Sequence, residues 1–379
     1  MIDYVAAVSW IINNDCNLRC KHCYPESGPE FRDEKILTRE EIKKMADSIK
    51  TINPDMVFIS GGEPFMCPNL FDYLEEAKRI AKKEMSMCTN GLFMTEENAK
   101  KLKDVGMNCV SMSVCCPIPE KEDAFRGGEN IIEKVKLAAK RLKNVGIYVT
   151  LDMTVTNYNK EYLKEFVELA SSMNVDVINF KRFRPMGRGG HNTWLALTLE
   201  DNKKALKEIF DIAINNPDLR IRVEDPLYAL LVDSARKNGN VLLPEYMARD
   251  VEQQDTLIPN LQTCNSVAKT DKNGLKRYWG CSAGSEWVGI DHEGNVSPCP
   301  LLGYTGVKLG NVKEEKLFDI LNKSEEMKKL RESYSECKYN SICGGCRTDA
   351  YIATGDIFGK DPMCFMEKCK CYSERKINE

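Results

Sequence analysis

Read as alternating apolar and polar positions, the first half of the chain switches repeatedly between strand and helix signals. Val5–Ile12 is an apolar, strand-like run. Thr38-Arg-Glu-Glu41 then has the form of a capping box, and Ile42, Met45 and Ile49 continue it as an apolar stripe at helical spacing. A second strand, Met56–Ser60, ends in Gly61-Gly62-Glu63-Pro64 and leads into a helix over Leu70–Lys82. Met85–Cys88 is a short third strand stopped by Thr89-Asn90-Gly91, and Glu96–Val105 is helical. The alternation continues with strand Cys109–Val114, helix Asn130–Val145, strand Tyr148–Val155, helix Lys160–Met173 and strand Val175–Phe183. Six strand–helix units in succession imply a parallel sheet covered by helices, either doubly wound or a barrel. The residues with chemical potential fall just past strand ends, where a barrel keeps its site. A full or partial (β/α)6 barrel is therefore expected. No dinucleotide or P-loop glycine fingerprint follows any of these strands.

The pattern then changes. Arg184-Pro-Met-Gly-Arg-Gly-Gly190 reads as a flexible basic loop. Beyond it, helical stretches at Leu199–Asn215 and Leu227–Lys237 surround a short strand, Leu219–Val223. This part is either a bridge between domains or a helical elaboration of the barrel. The expected division is 1–190 for the barrel, 191–262 for the bridging region and 263–379 for a small irregular C-terminal domain. In that last part Trp287–Ile290 and Asn295–Ser297, joined by Asp291-His-Glu-Gly294, have the form of a hairpin. The rest is rich in Cys, Gly and turn residues, and so thin an apolar core usually needs metal to hold it.

Charge and composition remove several function classes. A formal net charge of −3 gives no basic footprint for nucleic acid. No apolar run approaches the roughly 18–20 residues of a membrane span, and the N-terminal stretch lacks the basic and apolar regions of a secretion signal. A soluble cytoplasmic protein is expected. Cysteine changes the picture: there are 17, which without a secretion signal favours metal binding over a disulfide framework. Three lie in the opening loop, five (Cys67, Cys88, Cys109, Cys115, Cys116) are scattered, and nine fall between Cys264 and Cys371. So many unprotected thiols also suggest an anaerobic host.

The opening loop, Asp15–Pro25, places Cys16, Cys20 and Cys23 in a C-x3-C-x2-C spacing directly after the first strand. Three thiolates at this spacing can hold three irons of a cubane 4Fe–4S cluster and leave the fourth without a protein ligand, unlike a four-cysteine electron carrier. Zinc sites usually present paired C-x2-C units with four ligands, and Tyr24 where a haem attachment motif needs His excludes that alternative. The adjacent Cys115 and Cys116 are reactive thiols or, the reading preferred here, inert small hydrophobes.

The cysteine loop with its Asn17-Leu-Arg-Cys-Lys-His-Cys-Tyr24 wording, the Gly61-Gly62-Glu63-Pro64 segment and the six-unit β/α pattern together resemble the radical S-adenosylmethionine (SAM) enzymes. The C-terminal cysteines resemble the SPASM extension, which carries auxiliary iron–sulfur clusters. The resemblance implies that Cys16, Cys20 and Cys23 ligate a 4Fe–4S cluster whose open iron takes SAM. It also implies that Gly61, Gly62, Glu63 and Pro64 line the methionine end, that His22 and Tyr24 lie beside the adenine, and that Ser113 helps bind SAM. Asn90 is read as a turn residue. Relatives commonly follow that serine with Leu-Asp-Gly, whereas this chain has Val114-Cys115-Cys116-Pro117, so a role for the aspartate is not inherited.

Cys281-x12-Gly294-x4-Cys299 fits the SPASM pattern C-x9-15-G-x4-C, and Cys337-x5-Cys343-x2-Cys346 with Cys364 resembles its second half. By correspondence Cys281, Cys299 and Cys346, with Cys264 as a fourth ligand, hold one auxiliary cluster, and Cys337, Cys343 and Cys364 a second. Tyr334 stands where full patterns have Cys, so the second cluster is open, completed by Cys369 or Cys371, or absent. The implied activity is reductive cleavage of SAM to a 5′-deoxyadenosyl radical that abstracts hydrogen, with electrons from a low-potential donor such as ferredoxin or flavodoxin. The substrate expected is a ribosomally made peptide or protein, with tetrapyrrole or other cofactor biosynthesis as the alternative. The alternative is suggested by the Arg184–Gly190 stretch, the Cys346–Cys364 ending, and a start at the first strand without room for a leader-binding domain. Arg182, Arg184 and Arg188 are candidates to pair with substrate carboxylates. The non-enzymatic alternative is an iron–sulfur electron carrier.

Overall fold

The computed structural model describes residues 1–31, 36–238, 280–332, 337, 339–340 and 342–366. Seven strands, β1 (Ala7–Ile11), β2 (Met56–Ser60), β3 (Glu84–Thr89), β4 (Cys109–Ser113), β5 (Tyr148–Val155), β6 (Val177–Arg182) and β7 (Ile221–Glu224), run parallel in sequence order. Between them α1 (Arg39–Lys50), α2 (Leu70–Ile80), α3 (Glu96–Asp104), α4 (Pro119–Arg126), α5 (Ile131–Asn144) and α6 (Leu163–Ser172) cover one face. This is the partial barrel expected from the pattern. The Thr38 capping box forms at the start of α1, with the Thr38 side chain accepting from Glu41 N–H and the Glu41 carboxylate from Thr38 N–H.

Alternation along the strands decides what the barrel can do. Val8, Trp10, Val57, Ile59, Met85, Met87, Val110, Met112, Val149, Leu151, Ile178, Phe180, Ile221 and Val223 share one apolar core, because successive strand side chains point to opposite faces. The opposite parity carries Ser86, Cys88, Ser111, Asp152, Asn179, Lys181, Arg222 and Glu224. Strands of a packed parallel sheet read as near-continuous hydrophobic runs; these do not, and their second face lines a polar bore.

The described part of the expected bridging region continues this sheet. Ile221–Glu224 pairs in parallel with Ile178–Lys181, and α8 (Leu199–Asn215) packs against α6. The Arg184–Gly190 stretch is not a flexible loop: Gly187–His191 forms a short helix, α7. The hairpin β8 (Trp287–Ile290) and β9 (Asn295–Ser297) forms as the pattern indicated, and β8 then adds in parallel beside β1. The C-terminal region is thereby welded to the barrel edge. No helix among the described residues is long and apolar enough to cross a membrane.

Candidate metal and cofactor site

The Asp15–Pro25 loop leaves the C-terminal end of β1. Cys16, Cys20 and Cys23 lie within electrostatic reach of one another, and burial with that mutual repulsion pushes Cys16 up to about 12 and Cys23 up to about 11. Such thiols keep their protons until metal displaces them. The loop's own backbone is held from two sides. Arg188 of α7 donates to the carbonyls of Cys20 (3.3 Å), Glu26 (3.1 Å) and Ser27 (2.9 Å), and Gly189 N–H donates to Cys23 O at 3.3 Å. From the other side the buried Arg126 guanidinium hydrogen-bonds the Cys20 sulfur, Ser113 O and Glu122. A glycine is required where α7 meets the loop: a Cβ on Gly187, at φ +49°, would stand 2.4 Å from Tyr24 O.

Among the described residues no three His, Cys, Asp or Glu side chains converge closely enough to hold a single metal ion. A cubane open at one iron needs three thiolates, the number this loop supplies, whereas a structural zinc ion usually takes four ligands. The donor set, three thiols on a loop with fixed carbonyls, fits a cluster open at one iron.

Gly61-Gly62-Glu63 forms the facing wall. Gly62 N–H donates to Asn13 O at 2.9 Å and Glu63 N–H to Asp15 O at 2.8 Å. A Cβ on Gly62 would lie 2.4 Å from Asp15 O and 2.7 Å from Asn14 O. The Glu63 side chain turns inward, fully buried, and accepts from Thr89 Oγ1 (2.7 Å), Asn90 N–H (2.7 Å) and Phe65 N–H (3.2 Å). It braces the wall against the end of the third strand. Asn90 makes its own turn to Leu92 N–H and also donates to Asn17 Oδ1 at 2.7 Å, tying the third strand's end to the cysteine loop. Gly62→Ala is expected to fold, by circular dichroism, yet lose about 10–100-fold in iron affinity at the cysteine loop, the usual effect of losing a ligand's outer support. Full iron content with unchanged SAM binding would contradict the close-approach role.

The bore opens beside this loop. His22 stacks on Phe125 with ring centroids 5.2 Å apart, and burial lowers its pKa to about 3, so it stays neutral. Tyr24 meets Tyr304 of the C-terminal region edge-on at 5.3 Å. Ser113 ends β4 next in register to Asp152. Behind them, Lys181 Nζ sits 2.6 Å from Asp152, which also accepts from Ser111 Oγ. Asn179 donates to both Asp152 (3.1 Å) and Glu224 (3.0 Å), which fixes its amide, and its Oδ1 has no partner among the described residues. Burial opposes ionisation of Glu224, but Lys181 and Arg222 outweigh it and hold the carboxyl down at about 2. Motif reading missed this lining and also α4, with Glu122 and Arg126. The signal for the lining was the polar parity of β4–β7.

Cys115 and Cys116 are buried, with both backbone N–H groups donating to Glu122 (2.9 and 2.8 Å), and burial pushes both thiols up. That is the setting of inert thiols.

In the C-terminal region Cys281, Cys299 and Cys346 interact electrostatically as one group and Cys343 with Cys364 as another. Backbone N–H groups of Tyr339 and Gly345 donate to the sulfurs of Cys337 and Cys343, each at 3.4 Å. Cys264, Tyr334, Cys369 and Cys371 lie outside the described residues. The basic residues expected to meet substrate are engaged internally. Arg182 is buried among Asp225, Asp349 and Asp361, Arg184 donates to Cys346 Sγ, and Arg188 holds the cysteine loop.

Comparison with known proteins agrees with this geometry. The family model of the radical SAM superfamily matches residues 10–170, and that of the SPASM iron–sulfur cluster-binding domain matches residues 281–347. An AdoMet-dependent heme synthase of Oleidesulfovibrio alaskensis is 24% identical over 377 residues, 97% of this chain and 89% of that protein. The mycofactocin maturase MftC of Mycolicibacterium smegmatis is 25% identical over 371 residues, 96% of this chain and 83% of that one. Among solved structures, Streptococcus suis SuiB bound to S-adenosylmethionine superposes with a TM-score of 0.68 at 16% identity, covering 96% of this chain and 78% of that one. The chain thus carries a radical SAM domain followed by a SPASM iron–sulfur cluster-binding domain, and it is an enzyme.

Proposed function

We propose that this enzyme cleaves SAM at a cluster held by Cys16, Cys20 and Cys23 and acts on a tetrapyrrole-type substrate seated at the polar mouth of the barrel. The observation that carries the first half is the meeting of the three-thiol loop and the Gly61–Glu63 wall at one end of the sheet, joined by backbone hydrogen bonds of 2.8–2.9 Å. SAM held at the cluster of Cys16, Cys20 and Cys23 would supply, on one-electron reduction, methionine and a 5′-deoxyadenosyl radical able to take hydrogen from carbon. The protein's part is to hold and to exclude water. Gly61 and Gly62 let the wall press against Asn13–Asp15 at the root of the ligand loop, Arg126 and Arg188 fix that loop, and neutral His22 with Tyr24 and Ser113 lines the space between loop and bore. Lys181, paired with the buried Asp152, offers a fixed cation in the bore. Cys281, Cys299 and Cys346, with Cys264, would hold one auxiliary cluster and Cys337, Cys343 and Cys364 a second. A low-potential donor of the ferredoxin or flavodoxin type would reduce the first.

The heme synthase relative, matched across 97% of this chain, supports the substrate class, as do the Arg184–Gly190 and Cys346–Cys364 stretches. A peptide or protein substrate is the second reading, favoured by the maturase relative that matches 96% of the chain. Anaerobic reconstitution, reduction and incubation with SAM should yield 5′-deoxyadenosine, and an iron porphyrin with carboxylate side chains should stimulate it. No 5′-deoxyadenosine under any condition would overturn radical chemistry. Stimulation by peptides and not by porphyrins would select the second reading.

A further inference from the structure

We propose that Arg184 sets the electron affinity of the auxiliary cluster held at Cys346, and so connects that cluster to the strand that lines the substrate bore. The inference rests on the reading that Cys281, Cys299 and Cys346 ligate such a cluster.

Four cations on one short segment each take a different task. Lys181 pairs with Asp152 in the bore, Arg182 is surrounded by three aspartates, Arg188 holds the loop of Cys16, Cys20 and Cys23, and Arg184 turns to the other cysteine group. Its side chain is 10% exposed. Nε donates to Cys346 Sγ at 3.3 Å while Nη1 donates to Arg182 O at 3.0 Å, so the guanidinium plane is locked by two bonds made by the same group. The surroundings are otherwise acidic. Asp349 lies 3.6 Å from Arg184 Nε, and Asp361 accepts from Cys346 N–H at 2.8 Å. Those carboxylates outnumber Arg182 and disfavour added negative charge on the cysteine. Arg184 is the cation that opposes them at the sulfur itself.

Adding an electron to a cluster adds negative charge that its thiolates share. Hydrogen bonds to the sulfurs and nearby positive charge stabilise the reduced form and raise its reduction potential. A charge-assisted bond from a buried guanidinium is the strong version of that contact. Removing it lowers the potential and makes the cluster a poorer electron acceptor.

The test is an EPR-monitored redox titration of the reconstituted enzyme, following the cluster signal that SAM does not perturb and that Cys346→Ala removes. Arg184→Met should leave total iron unchanged and shift the one-electron reduction equilibrium about tenfold or more toward the oxidised form, about 59 mV. Arg184→Lys, which keeps charge without the fork, should fall between. Should Arg184→Met lose iron, Arg184→Gln and Arg184→Lys carry the same comparison with a donor still present. Potentials of the fully loaded variants within about twofold of the parent would overturn the proposal. A parent enzyme with no SAM-insensitive signal, and no iron lost in Cys346→Ala, would overturn the underlying cluster assignment, a result visible without any Arg184 variant.

Discussion

Replacing Cys16, Cys20 and Cys23 together with alanine is expected to abolish 5′-deoxyadenosine formation while leaving the iron of the C-terminal region in place. Each thiol would ligate one iron, so the triple variant loses about four irons per chain. Activity should fall by more than about 100-fold, beyond the 10–100-fold typical of losing an outer-shell partner. Folding should survive, because the loop is positioned mainly through its carbonyls. Arg188 reaches Cys20 O, Glu26 O and Ser27 O, and Gly189 N–H reaches Cys23 O. Circular dichroism and an iron count on the purified variant separate the outcomes. Residual SAM cleavage at the parent rate would place the reactive cluster elsewhere. An iron loss well above four would mean that the two cysteine regions assemble as one.

The loop was legible because a C-x3-C-x2-C spacing needs no tertiary information, and the β/α order because each strand's apolar parity and each helix's stripe are local patterns. Two other features were less accessible. The bore was hidden because Ser111, Asp152 and the Asn179–Lys181 segment are far apart in sequence and become neighbours only through the parallel registers of β4, β5 and β6. Arg184–Gly190 misled for a different reason. Its glycines suggest flexibility when read alone, yet they are there because α7 presses on the cysteine loop, where a Cβ at Gly189 would meet His22 O at 3.0 Å. Its arginines suggested an open anion site, and each has an internal partner. A charge run says nothing of where its counter-ions lie when they come, as Asp349 and Asp361 do, from more than 160 residues away.

That long-range pairing predicts a large stability effect. Arg182 ends β6 and donates to Asp225 at 3.1 Å, to Asp349 at 2.8 Å and to Asp361 at 2.7 Å, all buried. Asp225 belongs to the turn after β7, whereas Asp349 and Asp361 belong to the C-terminal region, so one guanidinium joins the barrel to the cluster-bearing part. Removing one partner of a buried ion pair costs about 3–5 kcal/mol, because the charge left behind is neither solvated nor neutralised. Arg182→Met strands Asp225 and Asp361 and leaves Asp349 only its 3.6 Å contact with Arg184, and a loss at or above that range is expected at pH 7. The pH dependence identifies the cause. Burial pushes the Asp361 carboxyl up, but Arg182 and the N–H groups of Cys346 and Met363 outweigh it and hold the folded pKa below its ordinary value. Its contribution is therefore complete above the unfolded carboxylate value of about 3.9 and disappears as pH falls through the lower folded value. In the variant the same carboxyl, buried without its cation, titrates above that range and is relieved by protonation. Thermal unfolding followed from pH 7 downward should show a wide gap between parent and Arg182→Met that starts to narrow above the unfolded carboxylate value of about 3.9, as the variant's carboxyl protonates, and goes on closing below it. A gap under about 1 kcal/mol at pH 7, the scale of an exposed pair, or one that does not narrow in acid, would mean that the three aspartates do not depend on Arg182.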